Sequence, residues 1–188
     1  MIRVGVVHAA ILTFGHGTLQ ASELVSLLTD AGVEGVVDVR RFPGSRHNPD
    51  ASPDRLSAAL ADAGIGYRWD QRLGGRRHLT RAEDAASPDR WWRVAAFRAY
   101  AAHTRTPEFR AAIDDLVADA SGRPTAIMCS ESVWWRCHRR LIADVLLLER
   151  GLPVAHLMHD GRLQPAEPSA GARRVPPDGF LVWDAPAS

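Results

Sequence analysis

The side chains able to do chemistry in this 188-residue chain gather in three short stretches. The most specific is Cys129-Ser130-Glu131, followed within a few residues by Cys137-His138-Arg139-Arg140. A cysteine directly after a buried strand and before a helix N-terminus lies in a field that favours thiolate. Cys129 is therefore read as a nucleophile or as pocket wall. Glu131 beside it suits general acid or base work, or ligation, and His138 is a further candidate for proton transfer. The second stretch is Asp38-Val39-Arg40-Arg41-Phe42-Pro43-Gly44-Ser45-Arg46. Its arginines surround a proline–glycine turn, and converging guanidinium forks suit phosphate or carboxylate. Asp38, inside a strand, must be paired or hydrogen-bonded; with Ser45, Arg40 and Arg46 it joins the candidate substrate-binding set. The third stretch is Thr13-Phe14-Gly15-His16-Gly17-Thr18. Glycines after a strand, here Gly15 and Gly17, let a ligand approach the backbone and free N–H groups for an anion. His16 is a candidate base, ligand or hydrogen-bonded turn residue.

Three other chemistries compete for the cysteine stretch. A cysteine and an arginine flanking five residues form a phosphatase-type anion cradle, but six residues separate Cys129 from Arg136 and two of them are tryptophans. A metal needs three or four convergent N, S or O ligands. Cys129, Glu131, Cys137 and His138 could supply them only if the following helix begins late. A disulfide between Cys129 and Cys137 needs Cα atoms within about 7 Å.

Composition narrows the class. Hydrophobic residues make up 46% and charged residues 24%, ordinary for a globular domain and against wholesale disorder or fibrous repeats. The net charge of +1 exerts no global pull toward nucleic acid or membrane. No lysine occurs, so every basic side chain is an arginine, suited to bidentate contact with phosphate or carboxylate. No apolar run approaches the roughly 20 residues of a membrane helix. Two cysteines without an export signal fit a reducing, cytoplasmic setting.

The elements that must position these residues alternate. Short buried strands are expected at 11–14, 35–39, 124–128 and 153–157, with a further short strand or extended loop at 67–69. Helices are expected at 21–31, 53–63, 89–103, 106–120 and, as one long segment, 133–150. Thr106-Pro107-Glu108 reads as an N-cap, a first-turn proline and an acidic first turn. The polar stretch 70–87 is a long surface excursion. This order predicts an α/β fold of three layers: a mostly parallel, doubly wound Rossmann-like sheet with helices on both faces. Residues 1–160 form one domain, and 161–188 form a proline-rich arm packed on it, with a short strand at 180–183. In such folds ligands bind at the carboxyl ends of the strands, near a topological switch point. All three reactive stretches follow a strand end.

Taken together, the chain resembles the DUF488 family of bacterial and archaeal proteins. The resemblance rests on Thr13-Phe14-Gly15-His16, on Asp38-Val39-Arg40 with Pro43 and Ser45-Arg46, and on Cys129-Ser130-Glu131 with Cys137-His138-Arg139. Tyr67, Leu73-Gly74-Gly75 and Thr106-Pro107-Glu108-Phe109 match as well. The likeness covers about residues 11–157. Ser130 separates a cysteine and glutamate that many relatives place side by side, and Val133-Trp134-Trp135 is a bulkier loop than theirs. The resemblance implies the fold and the position of the site, and no particular reaction.

The leading expectation is an enzyme, a hydrolase or transferase, acting on a phosphate-bearing substrate such as a nucleotide or nucleic acid. Arg40, Arg46 and Arg139 would bind anionic oxygens, and Gly15 and Gly17 would present amides. Glu131 would move the proton, with His16 or His138 second. Arg68, Arg72, Arg76, Arg77 and Arg81 could track a phosphate backbone, and Trp69, Trp91 and Trp92 could stack bases, core packing being the alternative for Trp91 and Trp92. A non-catalytic module for nucleic acid or an anionic small molecule is the second expectation. A metal-binding or thiol-redox protein is the third. No cofactor is required, a divalent metal is allowed, no membrane partner is expected, and the oligomeric state is open. The central geometric expectation is that Gly15, Arg40 and Glu131 line one hollow.

Overall fold

In a computed structural model of the chain, which describes residues 10–44 and 48–184, apolar runs bounded by glycine or proline become strands. These are β1 (Ile11–Gly15), β2 (Gly35–Asp38), β3 (Gly66–Trp69), β4 (Thr125–Cys129) and β5 (Val154–Leu157). Between them run α1 (Ala21–Asp30), α2 (Pro53–Asp62), α3 (Arg81–Ala86), α4 (Ala95–Thr104), α5 (Pro107–Gly122) and α6 (Arg139–Glu149). Helix α5 starts as its sequence dictates: the Thr106 hydroxyl accepts from the Phe109 amide at 3.3 Å and Pro107 occupies the first turn. Three further strands follow: β6 (Leu163–Pro165), β7 (Ala172–Val175) and β8 (Phe180–Trp183).

The main sheet has the order β3-β2-β4-β1-β5-β6, parallel except for β6, which runs antiparallel to β5. Successive strand residues feed two cores. Leu12, Phe14, Ala126 and Met128 pack against Leu24, Leu28, Leu56 and Leu60 of α1 and α2. Ile11, Val37 and Ile127 pack on the other face with Phe109, Ile113, Leu141 and Val145 of α5 and α6. After β1 the chain steps toward one edge of the sheet and after β4 toward the other, so neighbouring β1 and β4 flank the switch point. The expected three-layer α/β architecture is the one observed. No helix among the described residues is long and apolar enough to cross a membrane.

Two helices are shorter than their periodicity implies. The segment expected as one helix over 133–150 breaks: a 3-10 turn covers Trp134–Arg136, Cys137 is extended (φ −118°, ψ 147°), and α6 begins at Arg139. Side-chain contacts override propensity here, because the Trp134 ring lies flat on His156 at 4.2 Å between centroids. Helix α4 starts at Ala95 rather than Asp89, since Asp89 is fully buried as the partner of Arg105 (2.7 Å) and accepts from the Trp183 amide. The arm packs on the domain through β6 and a β7–β8 hairpin, whose buried Trp183 donates to Asp144 at 2.7 Å. Trp91 and Trp92 meet edge to face at 4.7 Å, Trp92 buried in the core and Trp91 half-buried against it, so Trp92 is a core residue rather than a stacking platform.

His156 ties β5 to β1, its Nδ1 lying 2.7 Å from the Thr13 hydroxyl. Burial, then the charges of Arg139 and Arg140, push its pKa down from 6.5 to about 4. Folding thus favours the neutral ring. The stability it confers is complete above pH 6.5 and is lost as pH falls toward 4, on the order of 3 kcal/mol at about 1.4 kcal/mol per unit. Urea midpoints are expected to fall between pH 6.5 and 4.5, with the His156 ring seen by NMR to stay neutral until about pH 4. A His156 ring that titrates near 6.5 contradicts this.

Candidate functional site

The carboxyl ends of β1, β2 and β4 continue their ladder into loops: His16 N–H donates to the Cys129 carbonyl, Gly17 N–H to Ser130 and Val39 N–H to Met128, at 2.9 to 3.0 Å. Gly15 lies where the chains press hardest, since a Cβ there would meet the Glu131 carbonyl oxygen at 1.9 Å. Its role is to seat the Glu131 backbone, and it lies beneath the cavity rather than on its wall. That cavity, about 980 Å³, is lined by His16, Gly17, Arg40, Cys129, Glu131 and His138, joined by Arg41, Arg76 and Arg136.

The floor is polar and tightly paired. Asp38 is wholly buried and accepts from the Arg40 amide (3.0 Å), Arg40 Nε (2.9 Å) and Nη2 (2.5 Å), and the Tyr67 hydroxyl (2.7 Å). It therefore positions Arg40 instead of contacting a ligand. Burial, and then the Asp38 charge, raise the Tyr67 pKa and keep its hydroxyl a donor. Arg40 Nη1 donates to His16 Nε2 (3.2 Å), and His16 Nδ1 donates to the Gly17 carbonyl (2.9 Å). Burial foremost, with the Arg40 charge, lowers the His16 pKa, so the ring is neutral with both nitrogens occupied. That arrangement does not suit the expected base.

Beside it, Cys129 and Cys137 face one imidazole: their Sγ atoms lie 3.9 and 3.7 Å from His138 Nδ1. The neighbouring Cys137, with burial, raises Cys129 to about 12. Burial opposes ionisation of Cys137, but the Cys129 thiol and the Arg139 charge outweigh it and bring Cys137 to about 6. Arg139 is buried to 1% exposure; it donates to the Glu131 carbonyl, to Thr13 Oγ1 (3.4 Å) and to Cys137 Sγ (3.4 Å). It is a brace behind the wall and does not reach the cavity, contrary to the expected anion contact. Glu131 does line the cavity, held by a hydrogen bond from the Val133 amide to Oε1 (3.2 Å). It lies outside the cluster of Cys129, Cys137 and His138 able to hold a metal. Arg40 and Glu131 thus share the expected hollow, and Gly15 underlies it. Ser45 and Arg46 fall outside the described residues.

Three of the five arginines expected to track a phosphate backbone are engaged within the fold. Arg68 is paired with Asp70 (2.8 Å) and Asp119 (2.6 Å), Arg72 with Asp70 and Asp115 (2.7 Å each), and Arg77 with backbone carbonyls. Trp69 is tied by its indole N–H to the Arg40 carbonyl at 2.7 Å. Among these arginines only Arg76 lines the cavity, and it does so from a left-handed backbone, φ 56°. That conformation costs a non-glycine residue roughly 1 kcal/mol. Arg41 braces it by donating to the Arg76 carbonyl (3.2 Å). Trp135 and Arg136 reach the rim through the break before Cys137, which a continuous helical pattern hides.

Residues 20–146 match the family model described as domain of unknown function DUF488, and with two thirds of its length matched the chain belongs to that family. No curated protein and no solved structure matches it.

Removing the counter-ion while leaving the cation buried tests the floor. Asp38→Asn is expected to destabilise by about 3–5 kcal/mol, against about 1 kcal/mol for Tyr67→Phe, both read from urea unfolding. An Asp38→Asn protein as stable as wild type would show that the pair does not hold the floor.

Proposed function

We propose that this DUF488 protein is an enzyme acting on a phosphate-bearing substrate, a nucleotide or the end of a nucleic-acid strand, held in the cavity described above. The observation that carries this reading is the charge of the wall. Arg40, Arg41, Arg76 and Arg136 line it, while Glu131 is its only carboxylate among the described residues. Among those residues Arg41, Arg76 and Arg136 have no carboxylate partner, in contrast to the paired Arg68, Arg72, Arg98 and Arg105 outside the cavity. Guanidinium groups left unpaired around a concave surface favour an anion.

Shape supports the ring-bearing part of the substrate. Five large apolar side chains are left exposed among the described residues, and three of them, Phe42, Val94 and Trp135, border this cavity. Exposed apolar groups gathered at a polar hollow mark a binding surface, and the two aromatic rings offer faces on which a base can stack. The volume of about 980 Å³ falls at the upper end of the range for small-molecule sites. Glu131 is the proton-transferring group in this reading: it stands in the wall, its backbone is fixed by Gly15 and Arg139, and one carboxylate oxygen is free of the Val133 amide.

Fluorescence titration with mononucleotides and short oligonucleotides tests the proposal, since Trp135 stands at the rim. Affinity is expected to fall steeply with added salt. Arg41→Ala, Arg76→Ala and Arg136→Ala should each weaken binding about tenfold or more, at about 1.5–3 kcal/mol per charged hydrogen bond, while Arg174→Ala outside the cavity leaves it unchanged. Glu131→Gln should abolish turnover with binding retained. Salt-independent binding, or equal affinity in the three cavity variants, overturns the reading; turnover surviving Glu131→Gln removes Glu131 from the chemistry.

A further inference from the structure

We propose that Cys129 Sγ, Cys137 Sγ and His138 Nδ1 form a binding site for one soft divalent cation of the zinc type, with the fourth position open to the cavity. The inference goes beyond the anion site and does not depend on it.

The geometry is close to what such an ion requires. The three ligand atoms lie within 4.8 Å of one another, with sulfur–nitrogen separations of 3.9 and 3.7 Å. Bond lengths of about 2.3 Å to sulfur and 2.0–2.1 Å to nitrogen make the tetrahedral S···N edge about 3.5 Å. The two sulfur–nitrogen edges therefore need to shorten by only a few tenths of an ångström, and the sulfur–sulfur edge must come to about 3.8 Å. The imidazole is already in the ligating tautomer. His138 Nε2 lies 3.2 Å from the Val39 carbonyl, which only accepts, so Nε2 carries the hydrogen and Nδ1 presents a lone pair to both sulfurs. A ligating histidine whose other ring nitrogen donates to a carbonyl is the usual outer-shell arrangement around a metal.

The backbone also keeps space for the ion. A Cβ on Gly75 would lie 2.8 Å from His138 Nδ1, so a side chain there would crowd the ligand face. The helix begins after the ligands, at Arg139, which frees Cys137 and His138 from helical spacing and lets adjacent residues converge on Cys129. Two thiolates neutralise a divalent cation, and Arg139 Nε at 3.4 Å from Cys137 Sγ provides an N–H···S contact from behind. All three ligands border the cavity, and three protein donors with an open position are the pattern of reactive zinc rather than structural zinc. Two sulfurs and a nitrogen select such an ion over magnesium or calcium, which prefer oxygen.

The test uses the full chain purified without chelator or metal-affinity resin and with no anionic ligand present. Elemental analysis should find stoichiometric zinc. Cobalt(II) added to chelator-stripped protein should give thiolate-to-cobalt charge-transfer and tetrahedral bands, abolished by zinc. Cys137→Ser and His138→Gln should lose the bound metal, while Arg76→Ala keeps it, which separates this site from the anion site. Should either ligand variant fail to fold, the wild-type cobalt spectrum decides alone. Metal-poor protein with two free titratable thiols and no cobalt–thiolate band overturns the proposal. So does a metal-free protein whose thiols close to a disulfide under mild oxidation and give no cobalt–thiolate band once reduced again.

Discussion

The contact between Gly15 and the Glu131 backbone sets the terms for everything around it. Adjacent parallel strands whose connections leave in opposite directions open a crevice at their carboxyl ends. Here the crevice is narrowed from below because the chain after β4 crosses directly over the end of β1, closer than any side chain at residue 15 allows. That crossing turns Glu131 into the hollow, and Arg139 clamps the same carbonyl from the helix side. His16, one residue beyond Gly15, is then delivered to Arg40 on the neighbouring loop. One steric constraint thus aligns three loops that are far apart along the chain.

The arginines show how the site acquires its charge in a protein with a net charge of only +1. Outside the cavity several guanidinium groups are matched by aspartates: Arg98 with Asp84, Arg105 with Asp89, Arg72 with both Asp70 and Asp115. Such pairs contribute little stability where exposed, but they remove positive potential from those faces. Around the cavity the pairing is incomplete. Arg40 is neutralised from below by Asp38, whereas Arg41 and Arg76 brace each other through a backbone carbonyl and leave their charges on the wall. Local imbalance, rather than overall composition, makes the hollow positive.

Most of the fold was legible because hydrophobic periodicity reports which face is buried. Leu24, Leu27 and Leu28 announce α1, and Thr106 with Pro107 announces α5. The order of strands and helices implies the parallel sheet, and with it the position of the cavity. Individual roles were less legible, because distance along the sequence does not reveal which partner a polar group meets. Arg139 looks like an anion contact until its guanidinium is found donating to Glu131, Thr13 and Cys137. Asp38 and His16 look like site groups until each is found saturated by its neighbours. Arg76 looks like any of five loop cations in the sequence, and its place on the cavity wall, reached from a left-handed backbone, is what singles it out.

The break before α6 is where local pattern and tertiary structure disagree most, and the disagreement is productive. Helical continuation would place Trp134 and Cys137 on one buried stripe with Leu141 and Val145. Instead, one extended residue at Cys137 does three things. Trp134 turns back to lie on His156, covering a buried imidazole that must stay neutral. Trp135 and Arg136 turn outward to the cavity rim, where an aromatic face and a cation with no carboxylate partner among the described residues stand together. Cys137 and His138 come within reach of Cys129, which an unbroken helix would prevent. Helix propensity is worth a few tenths of a kcal/mol per residue, and burying the Trp134 ring against His156 is a larger gain. The loop that departs from helical expectation is therefore the segment that builds the wall, the rim and the sulfur cluster at once.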